Sequence, residues 1–301
     1  MTRIKHIKHK EIDFKKWDQV ILSSKFPLVF AQSFYLNATC PDWDALILGD
    51  YEAVFPLTQK TKFGVQYLHQ PSFTPQLGLF GKFTMEDEEA VLKYISKHYK
   101  LIEIELNASN QLEMLHHSPK STFIIDYKNP YKQNQNTKRN IAKALENQLK
   151  FEPIPEGEVL SLSKTYLNPF LSKKLNLSDY SISLFNELLE SSMKHKSLFS
   201  FRVVGPDGQL KAIAHFISNG RHAVYLKGTN FDKSENSGSM HLLTSSAIQF
   251  FEGKAEFFDF GGGSRETLAN FYKGFGGKEL AYKTLNINRL PLIIKVLKKL
   301  K

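Results

Sequence analysis

Apolar residues recur at helical spacing over 11–24 and 32–38 and then switch to a period of two. DALIL (44–48), YEAVFPLTQK (51–60) and KFGVQYLHQ (62–70) read as a three-strand meander, with Gly49-Asp50 suited to a two-residue hairpin. The Pro- and Gly-bearing run PSFTPQLGLFG breaks regular structure. TMEDEEAVLKYISKHY (84–99) opens with a Thr N-cap and an acidic first turn, where orphan N–H groups and the helix dipole favour oxygen and negative charge. KLIEIELN and STFIIDY close the first half as strands.

The second half repeats this order. Helical patterns occupy 158–173 and 178–196, the latter capped by Ser178. Strands SFRVV (200–204), QLKAIAHFIS (209–218) and RHAVYLKG (221–228) follow, the last two joined at Asn219-Gly220, a strong hairpin signal. The helix SMHLLTSSAIQFFEG, the buried strand EFFDF (256–260), the short helix TLANFYKGF and one final strand, KELAYKTLNI, complete the chain. Two rounds of the same elements predict a structural duplication: an α+β chain of two tandem domains, each a mostly antiparallel sheet flanked by helices. The division falls at 1–130 and 131–301, with a linking helix over about 131–150 and a basic amphipathic tail over about 289–301.

Composition narrows the class. At 301 residues, 42% hydrophobic and 23% charged, with 24 Phe and 12 Tyr, the chain has material for two aromatic cores, which excludes disordered and fibrous classes. The single cysteine, Cys40, excludes a disulfide framework and any Cys-built zinc or iron–sulfur site, and beside Pro41 and Trp43 it reads as buried rather than nucleophilic. No apolar run reaches the roughly 18 residues of a membrane span, and the basic N-terminus lacks the apolar region of a signal peptide. These features predict a soluble protein of the reducing cytosol. The net charge of +10 favours anionic partners or solubility alone. In the tail NRLPLIIKVLKKLK an apolar stripe faces four lysines, a pattern that lies on an anionic membrane or docks on its own domain.

Three segments carry candidate chemistry. In YLKGTNFDKSENSGSMHLLTSSAI a strand, a Gly/Ser/Asn loop and a helix start near Ser239 form a junction that suits an anion, with Gly238 allowing a phosphate close to the backbone, or simple capping. In FFDFGGGSRETLANFYKGFGGKELAY, Gly261 to Gly263 follow a strand, a costly run that some backbone demand must justify. Asp259, flanked by Phe258 and Phe260 on the other face, is either a satisfied sheet acid or aimed into a cleft. Tyr272 and Lys273 at the end of the next helix can handle a proton or an oxyanion, or can be a core ring and a surface charge. On the linking helix, Arg139 and Lys143 stand at i, i+4 and share one face, an anion clamp or a solvated stripe. Histidine spacing supports no metal site, and no phosphate loop, dinucleotide fingerprint or nucleophile elbow is present.

The run FDFGGGSRETLANFYKGFGGKELAY resembles the C-terminal signature of the FemAB-like branch of the Gcn5-related N-acetyltransferase (GNAT) superfamily, a strand ending in Asp-Phe and a helix ending in Phe-Tyr/Lys-Lys-x-Phe-Gly. NTKRNIAKALENQLKFE is similar to the family's Arg-x-x-Ile-x-Lys-Ala element, and VFPLTQKTKFGVQYLHQPSFTPQLGLF resembles its first-domain segment. The resemblance implies two fused acyltransferase-type domains with a cleft between them. It implies that Asn236, Ser237, Gly238, Ser239 and Met240 hold the pyrophosphate of acyl-coenzyme A, although only the first glycine of the family's Arg/Gln-x-x-Gly-x-Gly/Ala pattern is kept. Tyr272 falls where many members keep a Tyr that protonates the leaving thiolate, and Phe271-Tyr272-Lys273 stands where bridge-forming enzymes show Phe-Lys-Lys.

The resulting expectation is an acyl or aminoacyl transfer from a thioester or ester, acyl-coenzyme A favoured, onto an amine of a cell-envelope or polysaccharide precursor. Tyr272 or Lys273 serves the leaving group and Asp259 or water takes the amine proton. Arg139, Lys143 and Arg265, with Tyr225 and Lys227 of the meander strand, contact an anionic or glycan substrate. The helical hairpin arm common among tRNA-dependent members is missing, which ranks aminoacyl-tRNA second as donor. A non-catalytic scaffold binding an anionic glycan or lipid is the other class, since fold does not fix function.

Overall fold

The computed structural model describes residues 4–62, 64–111, 120–231, 237–263 and 265–291. The chain divides into two compact units, Met1–Lys120 with Ala281–Lys301, and Ser121–Leu280. The sequence places the division at 130/131. It falls earlier because the STFIIDY strand pairs with Phe257–Asp259 of the second unit, and the chain's last strand pairs within the first.

In the first unit, β1 (Ile4–Ile7), α1 (Phe14–Ser23) and α2 (Ser33–Thr39) precede β2 (Asp44–Leu48), β3 (Ala53–Leu57), β4 (Gln59–Lys62), β5 (Val65–His69), β6 (Phe80–Gly81), α3 (Met85–His98) and β7 (Leu101–Glu105). Thr84 caps α3 as the sequence predicts, and the structure adds a reciprocal capping box with Asp87. The connection between β2 and β3 is longer than the expected two residues. Leu48 pairs with Ala53, so Gly49–Glu52 all lie in the turn, with both Gly49 and Tyr51 at positive φ. One sheet has the order β1-β2-β3-β6. In the other, β4, β5 and β7 are joined by the closing strand Thr284–Asn288, antiparallel to β7. Cys40 is buried, and burial pushes its thiol up to about 11, so it is an inert core residue.

The second unit contains β8 (Lys120–Asp126), α4 (Gln135–Glu146), β9 (Lys150–Pro153), α5 (Glu156–Leu162), a π-helical turn (Ser163–Leu167), α6 (Asn168–Leu175), α7 (Asp179–Lys194), β10 (Leu198–Val204), β11 (Leu210–Ser218), β12 (His222–Asn230), α8 (Ser239–Phe251), β13 (Phe257–Asp259), α9 (Glu266–Gly274) and β14 (Lys278–Tyr282). Its sheet runs β14-β8-β13-β12-β11-β10-β9, and β12 and β13 are parallel. KELAYKTLNI is therefore two strands rather than one: β14 joins this sheet, while Thr284–Asn288 joins the sheet of the first unit.

Alternation along the strands sorts side chains between the two faces of the sheet. Ala212, Ala214 and Phe216 of β11 enter an aromatic core with Phe123, Phe251, Phe258, Phe260, Tyr272 and Phe275, which α8 and α9 cover. Ile213, His215 and Ile217 face the opposite side, where Phe185 of α7 lies 6.4 Å from the His215 ring. No helix among the described residues is long and apolar enough to cross a membrane. The expected amphipathic tail lies almost wholly outside the described residues.

Candidate active site

The parallel ladder between β12 and β13 is short. It pairs His222 with Phe257, Ala223 with Phe258 and Val224 with Asp259, and there β13 ends. Among the described residues β12 runs on to Asn230 paired only with β11, so the two strands part and leave the β13-facing edge of β12 without a strand partner from Tyr225 onward. Two strands that separate in mid-sheet expose backbone N–H and C=O groups at a fixed position, a natural place for an extended ligand.

A bulge shapes this edge. His215 pairs with Lys227 and Phe216 with Tyr225, so Leu226 is one residue too many on β12. The extra residue reverses the alternation. Tyr225 shares the aromatic side with Phe216, their rings 5.2 Å apart, whereas Lys227 shares the opposite side with His215. The two candidates that the sequence groups together thus lie on different faces of the sheet.

Beyond β13 all three glycines have positive φ, and two of them also meet a close neighbour. A Cβ would lie 2.6 Å from the Tyr225 carbonyl oxygen at Gly261 and 2.5 Å from the Phe123 ring at Gly263. Asp259 holds this turn in place. Its Oδ1 accepts from the Thr122 hydroxyl at 2.5 Å and from the Gly261 N–H at 2.8 Å, and its Oδ2 lies 3.2 Å from His222 Nε2. Thr122 in turn accepts from the Gly262 N–H at 3.1 Å. Of the two sequence readings, the satisfied acid is the one observed. The two oxygens of this buried carboxylate meet three partners within the fold, so its visible role is to hold the turn. Thr122 and His222, both missed in the sequence, come from two other strands, and no local motif signals them.

The α9 residues sit beside this turn. Tyr272 is buried, its ring stacked on Phe260 at 4.5 Å and 6.1 Å from Phe123. Burial, with the nearby Asp259 charge second, pushes its hydroxyl up to about 12. Burial likewise raises Tyr225, with Tyr272 as a neighbour. Lys273 is exposed, with its ammonium 5.6 Å from the centre of the Phe123 ring. The structure therefore brings Tyr272, Lys273 and Tyr225 together with the Asp259-held turn. Arg265, exposed, is the N-cap residue of α9.

The start of α8 is closely packed. Ser237, Gly238 and Ser239 are buried and Met240 half-buried; Asn236 lies outside the described residues. Gly238, at φ +78°, is pressed against α4, and a Cβ there would lie 2.0 Å from the Asn140 carbonyl oxygen. Its lack of a side chain admits a neighbouring helix. The Ser237 hydroxyl accepts from the Ser239 N–H at 3.2 Å, so two members of the expected pyrophosphate loop bond to each other. On α4, Thr137, Asn140 and Ala144 face inward, and Arg139 and Lys143 are exposed on the other side.

Among the described residues no cluster of three or more His, Cys, Asp or Glu side chains is arranged to hold a metal ion. No protein-family model and no curated protein sequence matches the chain. Solved structures do match. FemX is 11% identical, covers 98% of this chain and 99% of its own, and superposes with a TM-score of 0.69. The C-terminal domain of a lysylphosphatidylglycerol synthetase from Agrobacterium fabrum is 12% identical over 95% of each chain, with a TM-score of 0.61. A tandem GNAT protein from the clavulanic acid biosynthesis pathway is 8% identical over 96% of this chain and 99% of its own, with a TM-score of 0.54. At such identities the likeness is one of fold: the chain has a FemAB-like, tandem GNAT-type acyltransferase fold.

Proposed function

We propose that the chain transfers an acyl or aminoacyl group from a thioester or ester to an amine of a cell-envelope or polysaccharide precursor, at the open edge of β12. The observation that carries this reading is the parting of β12 from β13 directly beside Tyr272. The names of the fold's neighbours, FemX and a lysylphosphatidylglycerol synthetase domain, support transfer to envelope components.

The neutral amine attacks the carbonyl carbon, and backbone N–H groups along the free edge of β12 stabilise the oxyanion that forms. The C–S or C–O bond then breaks and the leaving atom takes a proton. Tyr272 suits that step: with its hydroxyl pushed up to about 12 it remains protonated at neutral pH, hence a donor and not a base. Lys273 serves the same leaving group from the exposed side. Water takes the amine proton, and Asp259 acts as a positioning residue through the glycine turn. Tyr225 lines the edge, and Arg139, Lys143 and Arg265 are available to anionic parts of the substrate.

Acyl-coenzyme A is the favoured donor, its phosphates met by the helix-end amides of Met240 and His241 rather than at Gly238. The packing of Gly238 against α4 supports a second reading, in which the donor lacks a pyrophosphate and is an aminoacyl-tRNA. Thermal unfolding with coenzyme A, acetyl-coenzyme A and aminoacyl-tRNA, at low and moderate salt, separates the two. Ligand at about 100 times its dissociation constant adds ~2.7 kcal/mol. A salt-resistant shift with acetyl-coenzyme A supports the thioester donor, and a salt-sensitive shift with aminoacyl-tRNA alone supports the second. No shift with any, and no transfer, leaves an anion-binding scaffold and overturns the proposal.

A further inference from the structure

Lys227 lies within β12 at the bulge, part-exposed at the open edge, and makes no hydrogen bond or ion pair among the described residues. Among the described residues its surroundings supply no counter-charge. Across β11 its partner is His215, whose two ring nitrogens are engaged: Nε2 with the Ser163 hydroxyl and Nδ1 with the Ser200 hydroxyl, each at 2.7 Å. Ser163 donates its one proton to the Val159 carbonyl, so Nε2 carries the hydrogen and Nδ1 accepts from Ser200. Burial lowers His215 to about 4, so the ring is neutral. On the other side the ladder has stopped, and the last carboxylate of β13, Asp259, is taken up by Thr122, Gly261 and His222. Removal from water also lowers Lys227. An ammonium in such a place destabilises the free protein, since desolvation is not offset by a partner.

We propose that Lys227 docks an oxyanion of the substrate, a carboxylate or a phosphate, at the open edge of β12 on the face that carries His215. The inference rests on reading that edge as the substrate site, but not on the transfer chemistry. The bulge at Leu226 is what places the charge there: in a regular strand Lys227 would point into the aromatic side with Tyr225. The fixed, neutral His215 leaves the ammonium free for the ligand.

The test compares the full chain with its Lys227→Met variant by thermal unfolding at constant ionic strength, alone and with inorganic phosphate, pyrophosphate or acetate. Without anion, Lys227→Met is expected to unfold about 2–8 °C higher, because an unpaired desolvated charge is replaced by an apolar chain of similar length. Phosphate or acetate raises the midpoint of the unsubstituted protein and not of the variant, and which of them does so identifies the group. In 13C-dimethylated protein, the Lys227 resonance, assigned with Lys227→Arg, shifts with the same anion. A Lys227→Met chain that is less stable or unfolded, an anion effect equal in both chains, or a Lys227 resonance indifferent to all three anions overturns the proposal. None of these readouts involves turnover, so a protein that shows them and transfers nothing refutes only the transfer reading.

Discussion

Replacing Asp259 by Ala removes one small side chain and strands three donors. The Thr122 hydroxyl, the Gly261 N–H and His222 Nε2 all bond to that carboxylate at 2.5–3.2 Å, in a place where Asp259 is 1% exposed. Each buried donor left without an acceptor costs about 1–3 kcal/mol. Thr122 still accepts from Gly262, and the turn relaxes toward water, so the sum falls to about 3–5 kcal/mol. For a unit of this size that is a fall of roughly 6–20 °C in midpoint. Tryptophan fluorescence is blind to it, since Trp17 and Trp43 both lie in the first unit. Far-UV circular dichroism in urea gives the free energy, and amide exchange at Gly261 reports the turn itself. A loss below about 1 kcal/mol, or unchanged protection of Gly261, would refute the anchoring role and return Asp259 to candidacy as a proton acceptor.

Two further outcomes follow from buried groups. Burial lowers His215 in the folded protein from the ordinary 6.5 of an imidazole to about 4, so between those pH values the unfolded chain binds the extra proton. Stability is therefore full above pH 6.5 and falls by about 3 kcal/mol as pH drops toward 4. His215→Gln, which keeps a donor and an acceptor, should flatten that acid limb of the urea midpoint, and an unaltered slope would count against a neutral buried imidazole. Gly238→Ala forces a Cβ to within 2.0 Å of the Asn140 carbonyl oxygen at φ +78°, which should cost about 2–4 kcal/mol by displacing α4 from α8. Should the variant keep its stability and lose only coenzyme A binding, the glycine would instead be serving a phosphate.

What the sequence determined by itself was local. Capping and periodicity act within a few residues, so Thr84 and Ser178 start their helices as the caps require, and the period-two runs become strands. The C-terminal signature located the glycine turn and Tyr272, and with them the fold. Long-range pairing decided the rest. The same short stretch KELAYKTLNI divides between two sheets because its strands find partners in β8 and β7, which no local pattern encodes. Asp259 is an anchor because Thr122 and His222 arrive from strands 137 and 37 residues away. Gly238 is a glycine because a helix almost a hundred residues earlier packs on it, and Lys227 parts company with Tyr225 because a single extra residue on β12 turns it over. The alternation that makes a strand can be read from its own residues; its hydrogen-bond partners, register, bulges and close approach depend on the neighbour, and only the folded chain supplies the neighbour.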